Sequence, residues 1–269
     1  MNTTPSSTLV PAWPDSTGAR RAILGALRQA APSQGLPVPT LAPYHAGPFG
    51  RGTLADPLDS TALQAQFTAA AQGWRAEVLH ATPQTWPQAV RAALDRHGAR
   101  CVAFGAASPN DPGFSGVLKA EAAAGGALDG LTLRPFERPL QDWKEELFEG
   151  VDAGITAAAA GASDTGSLVL CTGPGEPRTL SLVPPLHVAV LRASRLRPSL
   201  PQAFAAVGVV GDGRQPAGPP DLPTNLLLVT GPSKTADIQQ VLAFGAHGPK
   251  ALVIVLVNDL GDAQPEHTA

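Results

Sequence analysis

From Ser60 onward, stretches with helical spacing of apolar residues alternate with short runs of β-forming residues. This alternation constrains the fold more than any other feature. Strand, helix and strand in succession pack as βαβ units, and a series of such units builds a largely parallel sheet covered by helices. Ser60 can cap a helix whose apolar face is Leu63, Phe67, Ala70 and Trp74. Glu77–His80 follows as a short strand. Trp86–Arg96 reads as a second helix, with Val90 and Leu94 inward and Gly98 past its end. Arg100–Phe104 is an apolar β run that ends in the turn Ser108-Pro109-Asn110-Asp111-Pro112-Gly113.

Further along, Trp143–Glu149 is predicted as a short charged helix and Val151–Thr156 as a strand. Ser167–Thr172, Thr179–Val183 and His187–Ala193 are strand candidates, and Pro198–Ala206 is helical. Asn225–Thr230 is a strand, Thr235–Phe244 a helix, and Ala251–Val257 a fully buried strand. The expected fold is α/β, a largely parallel sheet flanked by helices, with an N-terminal helical extension. Residues 1–57 form that extension, with a helix at Arg20–Ala30 and a Pro-rich stretch, Pro32–Pro57. Residues 58–258 form the α/β domain. Residues 259–269 are a polar, flexible tail.

Composition narrows the function. The net charge of −3 supplies no electrostatic footprint for nucleic acid or an acidic membrane surface. The longest apolar run, Ala251–Val257, is far short of the ~20 residues that span a bilayer, so no membrane span is expected. Met1–Thr17 lacks the basic start and apolar stretch of a secretory signal, and a reducing, cytoplasmic setting is the expectation. The 2 cysteines, Cys101 and Cys171, cannot supply the ~4 thiolates of an iron–sulfur cluster. Both lie in apolar runs and read as small buried hydrophobes. No metal-ligand spacing is present, and no metal site is expected.

Five segments carry chemistry. Ser163-Asp164-Thr165-Gly166-Ser167 packs an acid, hydroxyls and a glycine into a turn before a strand. Such a turn can hold an anion through amides and hydroxyls, or satisfy its own side chains. Gly173-Pro174-Gly175-Glu176-Pro177-Arg178 is a stiff loop. Its Glu176 and Arg178 either pair with each other or face a substrate. Ser181-Leu182-Val183-Pro184-Pro185-Leu186-His187 leaves His187 at the start of an apolar strand, as a core residue or a ligand contact.

Thr230-Gly231-Pro232-Ser233-Lys234-Thr235-Ala236-Asp237 joins a buried strand to the expected helix. Gly231, Ser233, Lys234 and Thr235 there suit an anion at a helix N-terminus, or a plain N-cap. The glycine spacing of a Walker loop is absent. Phe244-Gly245-Ala246-His247-Gly248-Pro249-Lys250 can close that helix, while His247 and Gly248 also suit a ligand role.

In this order and spacing, Asp164–Leu170, Leu180–Val190, Gly231–Ile238 and Gly245–Pro249 resemble the lactate utilization protein C family, the single-domain form of the LUD domain. Ser167 stands where that family favours threonine, and the hydroxyl is kept. The resemblance covers roughly residues 60–257. It implies a NagB/RpiA/CoA-transferase-like fold and a part in oxidising L-lactate to pyruvate. It also implies iron–sulfur protein subunits as partners. Clusters are then expected only on those partners, and no intrinsic cofactor on this chain.

Two functions follow. One is a non-redox component that binds partner subunits, a small anionic ligand, or both. The other is an autonomous sugar-phosphate isomerase or CoA-transferase-like enzyme, with Asp164 or Glu176 as the carboxylate. In either case Thr165, Gly166, Ser167, Arg178, His187, Gly231, Ser233, Lys234, Thr235, His247 and Gly248 are the candidate ligand contacts.

Overall fold

The computed structural model describes residues 16–30, 59–208, 223, 225–235, 243–245 and 247–261. The helix Thr17–Ala30 belongs to a separate unit, residues 1–40, and is exposed along its length. The Pro-rich stretch Pro32–Pro57, the loop residues 211–222 and the tail from residue 262 lie outside the described residues.

In the second unit, the strands in chain order begin with β1 (Glu77–Ala81), β2 (Cys101–Gly105), β3 (Thr132–Phe136) and β4 (Ala153–Ala157). Next come β5 (Ala160–Ala162), β6 (Ser167–Thr172), β7 (Leu186–Arg192) and β8 (Leu196–Arg197). The last are β9 (Asn225–Val229), β10 (Lys234–Thr235), β11 (Ala243–Phe244) and β12 (Ala251–Val257). A six-stranded sheet has the order β1-β12-β7-β4-β2-β3, and every pairing in it is parallel. A four-stranded sheet has the order β8-β5-β6-β9. β10 and β11 form a small antiparallel ribbon.

The central strands are apolar on both faces because both faces are covered. Val188, Val190, Val253 and Val255 pack with Val90 and Leu94 of the helix Trp86–Arg96. Ala189, Leu191, Ile254 and Leu256 pack on the other face with Phe67 and Ala71 of the helix Ser60–Gly73. Leu168 and Leu170 of β6 join that second cluster, so the smaller sheet shares this face. Its other side, with Ala160, Ala162 and Val169, packs against Ala203 of the helix Leu200–Ala206.

Several sequence expectations need correction. Asp59, not Ser60, caps the helix Ser60–Gly73, accepting from the Ala62 N–H. The buried face there is Phe67 and Ala71, while Trp74 is the C-cap and stays exposed. Thr179–Leu182, between Pro177 and Pro184, is one helical turn and not a strand. The short helix expected at Trp143–Glu149 is present over residues 144–150, widened into a π-type turn at Glu146–Gly150 and preceded by a separate tight turn at Leu140–Asp142.

Lys234–Thr235 and Ala243–Phe244 are paired strands, so the helix expected at Thr235–Phe244 has neither its first nor its last residues in helical form. The residues between, 236–242, lie outside the described set. Cys101 and Cys171 are free and half-buried rather than buried, and burial raises both thiol pKa values. Among the described residues no helix is long and apolar enough to cross a membrane, and no cluster of His, Cys, Asp and Glu could hold a metal.

Candidate functional site

Three of the five segments meet at one cavity of about 160 Å³. Its floor is the start of β7 and β12, through His187 and Leu252, which are register neighbours. The turn after β9 brings Thr230, Gly231 and Ser233. The loop before β12 brings His247 and Gly248, and the helical turn Thr179–Leu182 adds Ser181 and Leu182.

Backbone bonds fix this convergence. The Ser233 N–H donates to the Pro249 carbonyl at 2.9 Å, and the Gly245 N–H donates to the Ser233 carbonyl at 2.9 Å. Gly231 has φ +81°, a left-handed conformation open to glycine, and its missing Cβ lets the turn pass over Trp74.

His187 is buried at 1% exposure. Its Nε2 lies 2.8 Å from Thr156 Oγ1 on the adjacent β4. Burial pushes its pKa down to about 4, so the ring is neutral at physiological pH. His247 is exposed at the rim. The lining is mixed and more apolar than polar: hydroxyls and imidazoles lie beside Leu182, Leu228, Val229 and Leu252. Such a site can orient a small polar ligand without charging a buried group.

The remaining candidates lie elsewhere. Gly166 has φ +66°, and a Cβ there would lie 2.3 Å from the Ala71 amide, so this turn is pressed against a helix backbone. Asp164 and Thr165 belong to that turn, and each has a buried oxygen without a hydrogen-bond partner. Ser167 contributes indirectly: its Oγ lies 2.7 Å from Thr230 Oγ1 and so holds a cavity residue in place. Lys234 is exposed, with Nζ 4.3 Å from the centroid of Trp74, and Thr235 is its strand neighbour. Neither lines the cavity. The Arg178 carbonyl accepts from Ser181 Oγ, and the described residues include no ion pair between Arg178 and Glu176.

Glu176 marks a second place, at the carboxyl ends of β2 and β4. The chain leaves β2 toward the helix Phe114–Glu121 on one face of the sheet, and leaves β4 toward β5 on the other. A crevice between strands whose connections diverge in this way is where α/β sheets bind ligands. Glu176 is 3% exposed, beneath the tight turn Gly173–Glu176. Its Oε1 accepts from the Ala157 N–H at 3.3 Å, and Oε2 has no hydrogen-bond partner among the described residues. Gly105, the last residue of β2, leaves the space: a Cβ there would stand 2.8 Å from the Glu176 side chain.

Burial raises the Glu176 pKa to about 7; Ser108, the Ala157 N–H and Asn110 oppose the rise, and Asp111 adds to it. Asn110 Nδ2 donates to the carbonyls of Ala157 and Cys171 at 2.9 and 3.0 Å, which ties the end of β4 to β6. Asp111 Oδ2 accepts from Arg192 Nε and Nη2 at 3.0 and 2.6 Å.

Sequence reasoning did not single out Thr156, Asn110, Asp111 or Arg192 as site residues. The turn containing Asn110 and Asp111 was visible as a turn. The pairings of Thr156 and Arg192 join residues 31 and 81 positions apart, and nothing local signals them.

A parallel sheet covered on both faces, with a smaller sheet laid on one of them and a small cavity lined by hydroxyls, imidazoles and leucines beside their junction, defines an α/β protein. The LUD domain family matches residues 65–257, and the chain belongs to that family. An uncharacterised protein of Neisseria meningitidis serogroup B is 36% identical over 191 residues, which is 71% of this chain and 75% of that one. A lactate utilization protein C from an Exiguobacterium species is 35% identical over 116 residues, 43% of this chain and 48% of that protein. Its Bacillus subtilis namesake is 30% identical over 111 residues, 41% of this chain and 44% of that protein. The match thus spans about half the length of the lactate utilization proteins. A crystal structure of a DUF162 family protein from Deinococcus radiodurans has the same fold, with a TM-score of 0.51 and 24% identity, covering 75% of this chain and all of that one.

Proposed function

We propose that this chain is the cluster-free component of a system that oxidises L-lactate to pyruvate, and that the His187 cavity is its ligand site. The convergence of three separated segments on that cavity carries the reading. The names of the lactate utilization relatives supply the direction. On this reading the chain holds a small acid and docks to iron–sulfur protein subunits, which take up the electrons. At about 160 Å³ the cavity is smaller than the ~300–1,000 Å³ of drug-sized ligand sites, which favours a small acid over an acyl-CoA.

The test is reconstitution with the iron–sulfur subunits of a lactate-oxidising system. Pyruvate is expected to form from L-lactate when all components are present, and not from this chain alone. Equal oxidation by the partners without this chain would overturn the reading. A second expectation concerns Lys234, which stands outside the cavity. Lys234→Ala should leave any thermal shift caused by L-lactate unchanged. Loss of that shift would move the ligand to the turn at Lys234.

The other reading, an autonomous enzyme, is favoured by one observation: a buried carboxyl with a pKa of about 7 at the carboxyl ends of β2 and β4. A group poised near neutrality suits general acid–base work. Turnover of a sugar phosphate or an acyl-CoA by the chain alone, abolished in Glu176→Gln, would select this reading. No turnover by the chain alone with either substrate class would remove it.

A further inference from the structure

His187 is buried yet lines the cavity. Its Nε2 is engaged with Thr156 Oγ1, and Nδ1 has no hydrogen-bond partner among the described residues. A neutral imidazole has one N–H and one lone pair, while a hydroxyl can donate or accept. The pair therefore has two arrangements of equal charge. When the Thr156 hydroxyl donates to Nε2, Nδ1 carries the proton and is a donor. When Nε2–H donates to Thr156 Oγ1, Nδ1 is an acceptor. An apolar wall of Leu182, Leu228 and Val229 completes the same small cavity.

We infer that the cavity takes a short 2-hydroxy or 2-oxo monocarboxylic acid, and that the His187–Thr156 pair reads the oxygen on its second carbon at either oxidation level. A keto oxygen accepts only and calls for Nδ1–H. An alcohol oxygen can accept from Nδ1–H as well, but only the Nδ1 lone pair takes up the alcohol's own proton. The two arrangements hold the same number of protons: exchange between them releases one proton from Nδ1 to water and takes one up at Nε2, with the Thr156 hydroxyl turning over, and the net charge of the site is unchanged. Ser233 offers a hydroxyl to the carboxylate, and the short alkyl end falls against the leucines. Thr156 acts here as a positioning residue, through the tautomer of His187. This inference rests on the reading of the cavity as the ligand site of a lactate-utilising component.

The test is calorimetric titration of the full chain with L-lactate, pyruvate and propionate. Propionate keeps the three carbons and the carboxylate and lacks the oxygen on the second carbon. L-Lactate and pyruvate are expected to bind within severalfold of each other, with propionate about tenfold weaker for the lost hydrogen bond. Thr156→Val leaves Nε2 beside a methyl group, which disfavours a proton there. It should weaken L-lactate more than pyruvate, by about three- to tenfold. Thr156→Ser should restore the parent ratio.

The imidazole nitrogen shifts of His187 provide a readout that folding alone does not move. They should differ between the L-lactate and pyruvate complexes in the parent and coincide in Thr156→Val. Equal binding of propionate, an unchanged ratio in a folded Thr156→Val, or no binding of any of the three acids overturns the inference. The broader reading fails separately. If reconstituted lactate oxidation requires this chain but is insensitive to Thr156→Val, the inference falls and the lactate-system role stands. If oxidation does not require the chain, that role falls whatever the cavity binds.

Discussion

Glu176→Gln is expected to melt at a higher temperature than the parent protein at pH 8, and at nearly the same temperature at pH 5. The carboxyl has a pKa of about 7 in the folded chain, against an ordinary value of 4.5. Below pH 4.5 it is protonated in both states and contributes no pH dependence. Between 4.5 and 7 the unfolded chain releases the proton while the folded chain keeps it, so the parent loses stability as the pH rises through this window. Above 7 the loss is complete. Its size follows from the shift, roughly 3 kcal/mol at about 1.4 kcal/mol per unit.

Glutamine fills the same space, can accept from the Ala157 N–H, and does not ionise. Its stability curve should therefore stay flat where the parent's falls. For a folded unit of this size each kcal/mol moves the melting temperature by about 2–4 °C. Thermal melts of both proteins from pH 5 to pH 8 measure the difference in slope. Parallel curves would mean that Glu176 does not titrate in this range and is not poised for proton transfer. The difference in slope is the telling quantity, because the new amide N–H groups shift the whole curve of the variant by a constant.

The elements that the sequence made legible are those where local pattern and burial agree. Ser167–Thr172 and Ala251–Val257 are found at their expected bounds, because strands covered on both faces carry continuous apolar runs, here residues 168–170 and 251–257. Trp86–Arg96 is found as expected because its buried residues recur at helical spacing. β3 was missed. Its sequence Thr-Leu-Arg-Pro-Phe includes a proline, tolerated because β3 is an edge strand that pairs with β2 alone. The helix Phe114–Glu121 was missed because it is short and contains Gly116.

In the site, residue chemistry picked out His187, Gly231, Ser233, His247 and Gly248, all of which line the cavity. Lys234, a candidate because a cation in a Gly-Pro-Ser-Lys turn suits an anion, lies over the Trp74 ring and does not line the cavity. The burial of Glu176 was not legible. A Gly/Pro-rich loop reads as exposed, and only the tertiary fold tucks this one under the ends of β2 and β4.

Gly154→Ala should be the most disruptive single-methyl change near the cavity. Gly154 is the second residue of β4, in register with Ala103 of β2 on one side and His187 of β7 on the other. A Cβ there would lie 1.9 Å from the Leu180 carbonyl oxygen and 3.3 Å from Pro184 Cγ. The obstacle is backbone, so no rotamer change relieves it. The turn Thr179–Leu182 has to move off the sheet, taking with it Ser181 and Leu182, which line the cavity. Overpacking of this kind costs at least ~3 kcal/mol, at the upper end for a core insertion.

The variant is therefore expected to lose both stability and binding at the cavity. Gly116→Ala provides the contrast, because it too adds one methyl to a glycine inside a regular element. Nothing lies within 4 Å of a Cβ at Gly116, inside the helix Phe114–Glu121. That substitution should raise stability by up to ~1 kcal/mol through the reduced freedom of the unfolded chain. Chemical denaturation of both variants, with L-lactate titration of whichever remains folded, measures the pair. If Gly154→Ala were as stable as the parent, the turn that carries Ser181 would not rest on β4, and the wall of the cavity would need another support.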